Sequence, residues 1–203
     1  MKVLIIDYGA GNLGSVRRAV IECGADAYIS DDAKEMKNAV RVILPGVGAF
    51  SEVMARLREH GWVDTIREEI NKYQIPFLGI CLGMQLLAQS GCEGGQTEGL
   101  GLIPGQVIPL VPEPGEKIPH VGWNEVYKAN SCSIFDNIPD GTDYYFVHSY
   151  HFQAEHCEDI IAKTPYGGGF VSAVRNGSVI GVQFHPEKSQ RPGFQLLRNF
   201  LKI

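Results

Sequence analysis

Two short runs of this chain carry residue types suited to nucleophilic acyl transfer. In IPFLGICLGMQLL, Cys81 stands with Gly79 two residues before it and Gly83 two after. Residues 76–80 form an apolar stretch that reads as a buried strand, and Met84, Leu86, Leu87 and Ala88 continue in a helical pattern. A thiol at a strand-to-helix turn, on G-x-C-x-G, is the nucleophile-elbow arrangement with sulfur in place of the serine oxygen. The sharp turn strains the nucleophile's backbone, and residues without side chains let the neighbouring segments approach it. A helix starting there aims its first N–H groups and positive dipole end at the sulfur, favouring the thiolate, the reactive form. Without the glycines, a cysteine in an apolar run is ordinarily a small core residue.

The second run, SVIGVQFHPEKS, supplies a proton shuttle. Residues 179–184 alternate and are β-rich, so His185 falls at a strand end, where Pro186 stops the ladder. Glu187 is two residues on, hence on the same side of an extended segment. A carboxylate there sets the imidazole tautomer and stabilises its charged form. Cys81, His185 and Glu187 then fill the roles of nucleophile, base and orienter.

The elements that must position these residues read as α/β. Residues 3–6, 27–30 and 42–45 are strands, 12–23 is a helix closing at Gly24, and 51–60 and 62–73 are helices separated by Gly61. Such alternation predicts a mainly parallel central sheet covered by helices on both faces. From about residue 100 the texture changes to short β-rich runs (QVIPL, NEVYK, DYYFVH, DIIAKT, GFVSAV, SVIGVQF) punctuated by Gly, Pro and Asn, which predicts added antiparallel strands. Residues 194–201 close with a helix, and PLVPEPGEKIP at 109–119 reads as a surface loop.

Composition narrows the classes. A length of 203 residues suits one domain over 1–203 with a substantial core. A net charge of −5 argues against a nucleic-acid or lipid surface. No stretch approaches a membrane span, and MKVLIIDYG is wrongly flanked for a signal peptide. Five cysteines without metal-type spacing read as free thiols in a reducing, cytoplasmic setting, with no metal expected. A second reading comes from residues 9–14, GAGNLG, which match G-x-G-x-x-G between a strand and a helix, with Asp31 and Asp32 downstream. That is a formal fingerprint of a nicotinamide-linked redox enzyme. Asp7, directly before the loop, would repel a pyrophosphate, and the fingerprint leaves the elbow and His185 unused.

GICLGMQ with a distant FHPE resembles the class I, triad-type glutamine amidotransferases. DYGAGNLGS at 7–15, LPGVGAF at 44–50, EGLGLIPG at 98–105, PHVGWN at 119–124, YFVHSY at 145–150 and QFHPEKS at 183–189 are similar, within that class, to glutaminase subunits of imidazole glycerol phosphate synthases. The resemblance covers essentially the whole chain. It implies a flavodoxin-like fold and hydrolysis of L-glutamine through a cysteinyl thioester, without a cofactor. An oxyanion hole would be drawn from Gly46, Val47 and the N–H of Leu82. Gln85, Glu93, Ser149 and Tyr150 match glutamine-binding positions. The partner implied is a (β/α)8-barrel synthase subunit in a heterodimer, with Asn12, Trp123, Asn124, Tyr145 and Lys188 at the interface. Ammonia released into neutral water is mostly protonated and loses its nucleophilicity, which is why such a subunit works beside an acceptor site. A paralogous subunit that serves nucleotide-sugar or surface-polysaccharide amination is the alternative, drawn from SGCEGGQTEGLG and from His151 after Tyr150.

Overall fold

The structure is a computed structural model that describes residues 2–203. The first 81 residues hold four strands, Lys2–Ile6 (β1), Asp26–Ser30 (β2), Arg41–Gly46 (β3) and Phe77–Cys81 (β4), and three helices, Leu13–Glu22 (α1), Phe50–Glu59 (α2) and Trp62–Tyr73 (α3). A single helical turn, Leu82–Gln85 (α4), leaves β4. Ser90–Gly91 (β5), Thr97–Glu98 (β6), Gly105–Pro109 (β7), His120–Lys128 (β8), Thr142–His148 (β9), Tyr150–Ala154 (β10), Ile160–Thr164 (β11), Phe170–Asn176 (β12) and Val179–Val182 (β13) follow, and Gln190–Phe200 (α5) ends the fold.

β2, β1, β3, β4 and β13 run parallel in that spatial order. They must be apolar on both faces, since each face is covered. Along β1, Val3 and Ile5 join the core beneath α1 and α5, whereas Leu4 and Ile6 join the core beneath α2 and α3. Beyond β13 the sheet turns antiparallel through β12, β10 and β7, and β12 also carries β11, then the β8–β9 hairpin. The expected parallel centre with antiparallel additions is what the chain forms.

Three local features differ from the sequence pattern. The helix after Cys81 stops after one turn, because the carbonyls of Leu86, Leu87 and Ala88 accept from the N–H groups of Leu100, Leu102, Ile103 and Gly101 at 2.8–3.1 Å. Those long-range bonds occupy the acceptors a longer helix would need. SGCEGGQTEGLG forms the short antiparallel β5–β6 pair. β10, in the YHFQA run, is a strand that the periodicity does not single out; it pairs with β7 over five residues.

β3 and β4 end side by side, Gly46 opposite Cys81, and α4 lies across them. A Cβ on Gly83 would stand 1.9 Å from the Leu44 carbonyl oxygen, and one on Gly79 would stand 2.5 Å from the Gly83 carbonyl oxygen. Both neighbours are backbone and cannot step aside. Gly83→Ala therefore destabilises the fold by about 1–3 kcal/mol or more, read as a lower urea midpoint; an unchanged midpoint would mean that α4 lifts freely off β3.

Candidate active site

Cys81 is the last residue of β4, with φ 55° and ψ −112°, a region that side-chain-bearing residues rarely occupy. Such strain persists only where the surroundings over-determine it, and here the Gly79–Gly83–Leu44 contact does so. The sulfur is nearly buried. Gln183 Nε2 donates to it at 3.7 Å, and the Val147 carbonyl lies 3.7 Å away.

His185 follows β13 and is also buried. Its Nδ1 lies 2.8 Å from Glu187 Oε1, and the two side chains are only 5% and 2% exposed, so solvent scarcely screens the pair. Glu187 reaches the ring through a 3-10 turn, Pro186–Lys188, rather than along an extended segment. The turn is pinned: His185 N–H donates to the Tyr145 carbonyl (2.9 Å), and Ser189 Oγ donates to the His185 carbonyl (2.6 Å) while accepting from Tyr145 N–H (3.0 Å). Burial alone would lower the His185 pKa. The Cys81 sulfur and the Glu187 carboxylate outweigh it and hold the ring up at about 9. Nε2 of His185 is buried without a hydrogen bond.

A cavity of about 300 Å³ opens on these groups. Val47, Cys81, Leu82, Gln85, Glu93, Ser149, Tyr150, His185 and Lys188 line it, so the structure gathers most of the residues expected from the sequence. Glu187 stands behind His185, outside the lining, and Gly46 packs against the elbow, where a Cβ would meet Gly83 N at 2.5 Å. Leu82 opens α4, where N–H groups have no partner within the helix. Val47 N–H does not point the same way: it donates to the Tyr8 hydroxyl at 3.2 Å. Burial, offset in part by that bond, pushes the Tyr8 phenol up to about 12. Glu93 Oε2 accepts from Phe50 N–H at 2.9 Å and so caps α2, whose N-cap residue, Ala49, has no side chain for the task. Gln85 Nε2 donates to the Tyr150 carbonyl (2.8 Å) and to Gln183 Oε1 (3.0 Å). Gln183, through its bonds to Gln85 and the Cys81 sulfur, and His148, which also lines the cavity, belong to the site although the residue pattern assigns neither a role; they stand in the runs QFHPEKS and YFVHSY.

The remaining expected residues, Asn12, Trp123, Asn124 and Tyr145, lie outside the cavity. Trp123 and Tyr145 are register partners on the β8–β9 hairpin with ring centroids 6.1 Å apart, and Lys188 Nζ sits 5.6 Å from the Tyr145 ring centre. Trp123, Val121 and Val147 form an exposed apolar face there. Asn124 is half-buried on the same hairpin, and Asn12 is exposed at the start of α1, where its side chain makes no capping bond. In the glycine-rich loop, Asp7 Oδ1 accepts from Gly9 N–H at 2.7 Å, taking an N–H that a phosphate would need. None of the described helices is long and apolar enough to cross a membrane.

The fold and the cysteine elbow are those of a known class, and comparison with other proteins agrees. The model of the glutamine amidotransferase class-I family matches residues 4–203. Solved structures superpose over nearly the whole chain: PurLQS from Thermotoga maritima (TM-score 0.77, 17% identity, 99% of this chain and 97% of that one) and a glutamine amidotransferase from the same organism (TM-score 0.64, 22% identity, 100% and 83%). At these identities they speak for the fold alone. Curated relatives are much nearer in sequence. Imidazole glycerol phosphate synthase subunit HisH of Moorella thermoacetica is 48% identical over 198 residues, covering 98% of this chain and 93% of that protein. Subunit HisH 1 of Campylobacter jejuni is 41% identical over 203 residues, covering 99% and 100%. The chain belongs to the class-I glutamine amidotransferases and, among them, to the HisH subunits of imidazole glycerol phosphate synthase.

Glu187→Gln removes one of the two groups that raise the His185 pKa. Titration of the ring by NMR should therefore give a midpoint below about 9; an unmoved midpoint would assign the elevation to the sulfur alone.

Proposed function

We propose that residues 1–203 act as one glutamine amidotransferase domain that hydrolyses L-glutamine to L-glutamate and ammonia and passes the ammonia to a (β/α)8-barrel synthase subunit in histidine biosynthesis. The observation that carries this reading is the strained Cys81 elbow sharing one cavity with a buried His185–Glu187 pair. The HisH relatives support the pathway, and they do not favour the sugar-amination alternative.

In this reading the Cys81 sulfur attacks the carboxamide carbon of glutamine, and the carbonyl oxygen becomes an oxyanion. Leu82 N–H is one donor to it, and Val47 N–H becomes the second once the Gly46–Val47 peptide turns away from Tyr8. His185 Nε2 gives a proton to the departing nitrogen, which leaves as ammonia as the C–N bond breaks and a thioester remains. The same ring nitrogen then takes a proton from water, whose oxygen attacks the thioester; the C–S bond breaks and glutamate is released. Glu187 holds the ring through Nδ1. Glu93 meets the substrate's ammonium, and the Ser149–Tyr150 backbone receives its carboxylate, with Gln85 bracing Tyr150. Trp123 and Tyr145, aromatic and set on the hairpin, suit an interface anchor, and Asn12, Asn124 and Lys188 are assigned to the same interface by the family resemblance.

The Tyr8–Val47 bond makes the free chain slow in this mechanism, because one oxyanion donor is turned away. Gly46→Ala is a poor probe of that step, since its Cβ would press on the elbow at 2.5 Å. Tyr8→Phe removes the acceptor and little else. The assay is glutamate release by the chain alone and with the barrel partner plus its aminoimidazole nucleotide substrate. Barrel and ligand are expected to stimulate turnover, Cys81→Ala to abolish it, and Tyr8→Phe to raise the unstimulated rate about two- to tenfold, the worth of one hydrogen bond. Absence of cysteine-dependent turnover in every arm would overturn the enzyme reading.

A further inference from the structure

Two buried histidines in the same part of the molecule take no part in the proposed chemistry. His120 opens β8 and His148 ends β9, and the two are register partners across the hairpin. Both are almost fully buried. His120 Nδ1 lies 2.9 Å from His148 Nε2, His148 Nδ1 lies 2.9 Å from the Tyr150 carbonyl oxygen, and Asn124 Nδ2 lies 3.3 Å from His120 Nε2.

The chemistry of the two ends fixes every proton in this row. A carbonyl oxygen only accepts, so His148 carries its proton on Nδ1, and in the neutral ring Nε2 must accept. His120 therefore carries its proton on Nδ1 and accepts at Nε2. Asn124 must present its NH2 group there, and it does so for an independent reason: its Oδ1 already accepts from Glu125 N–H at 2.9 Å. Worked from either end, the assignment is the same. Burial keeps both rings neutral, lowering His120 to about 4 and His148 to about 3, so neither is suited to carry a proton in turnover. Aromatic packing holds the rings in place: Tyr166 stacks on His120 at 4.0 Å, and the Phe170 edge meets His148 at 4.8 Å.

The row ends on one atom. The Tyr150 carbonyl accepts from His148 on one side and from Gln85 of α4 on the other (2.8 Å), while the adjacent Ser149 carbonyl accepts from Leu110 N–H (2.9 Å). The β9–β10 corner that lines the cavity is thus held by three donors, from His148 at the end of β9, Gln85 of α4 and Leu110 just after β7. The outer end of the row, Asn124, sits on the hairpin whose opposite face carries Trp123.

We propose that Asn124, His120 and His148 form a directional hydrogen-bond relay, every donor pointing inward, that positions the Ser149–Tyr150 peptide for glutamine from the exposed hairpin. His120 and His148 are positioning residues. The proposal rests on the glutaminase reading for its kinetic consequence, but the proton assignment does not.

The first test is long-range proton–nitrogen NMR on the unaltered chain near neutral pH. Both rings are expected neutral with the proton on Nδ1, the less common tautomer in water; a proton on Nε2 of either ring, or a charged ring, overturns the relay. The second is kinetic. His120→Asn keeps an amide donor near the Nδ1 position, whereas His120→Gln moves it toward Nε2 and away from His148. In the complex, KM for glutamine is expected to stay near the unaltered value in the first variant and to rise about two- to tenfold in the second, with kcat changing less. Equal KM values in the two, with both chains folded by NMR, would overturn the positioning role; if either fails to fold, the tautomers of the unaltered chain decide. If glutaminase activity itself were absent, the tautomer result would still stand, which separates the two failures.

Discussion

The site depends on one close contact between backbones. α4 lies on the end of β3 so tightly that the Leu44 carbonyl occupies the place of a Gly83 side chain. That contact forces the chain to leave β4 abruptly, and Cys81 takes up the strain at φ 55°. The same contact brings Gly46, at the end of β3, alongside the elbow. Cys81 and the candidate oxyanion segment are therefore brought side by side by a single packing arrangement. The usual place for ligands in an open parallel sheet, beyond the carboxyl ends of its strands, follows from the same geometry.

The second half of the site comes from the antiparallel extension. β13 pairs with β4 in parallel and with β12 antiparallel, so it joins the two textures of the sheet. His185 leaves its end, and the 3-10 turn that follows is tied to β9 through Tyr145 and Ser189. A charged imidazole so deeply buried is unfavourable unless compensated. Here a carboxylate at 2.8 Å and a facing sulfur do so, and the ring's affinity for its proton rises in spite of burial.

Much of this is legible in the residues because it is local. Strand periodicity, the glycines around Cys81 and the His-Pro-Glu run each report on a few neighbouring positions. What is not legible is set by contacts between distant segments. The pattern Met84, Leu86, Leu87, Ala88 is helical in type, yet Leu100–Ile103 takes its carbonyls and ends the helix after Gln85. YHFQA carries weak alternation and is a strand only because β7 and β12 lie on either side of it. Gln183 looks like one more strand residue, and only the fold puts its amide between Gln85 and the Cys81 sulfur. Glu187 meets His185 as its spacing suggests, but through a turn in place of an extended backbone. The glycine fingerprint at residues 9–14 shows the converse case: the pattern is present, and the Asp7 carboxylate that engages Gly9 N–H gives the loop a different use.

In the proposed mechanism the neutral hydrogen bond from Val47 N–H to Tyr8 holds the candidate oxyanion segment turned away, and such a bond contributes about 1 kcal/mol. A latch of that size shifts a two-state equilibrium by roughly a factor of five. It is too weak to silence an enzyme alone and small enough for a docking partner to overcome. A partner acts on such an equilibrium only through its different affinity for the two states. The exposed face of Trp123, Val121 and Val147 is continuous with the cavity through Val147, whose carbonyl approaches the Cys81 sulfur. If the proposed partner docks on that face, it bears directly on the atoms around Cys81, and no long pathway through the core is required. Tight basal control would then come from adding the weak latch to the orientation of the β9–β10 corner, two modest terms that multiply in the rate.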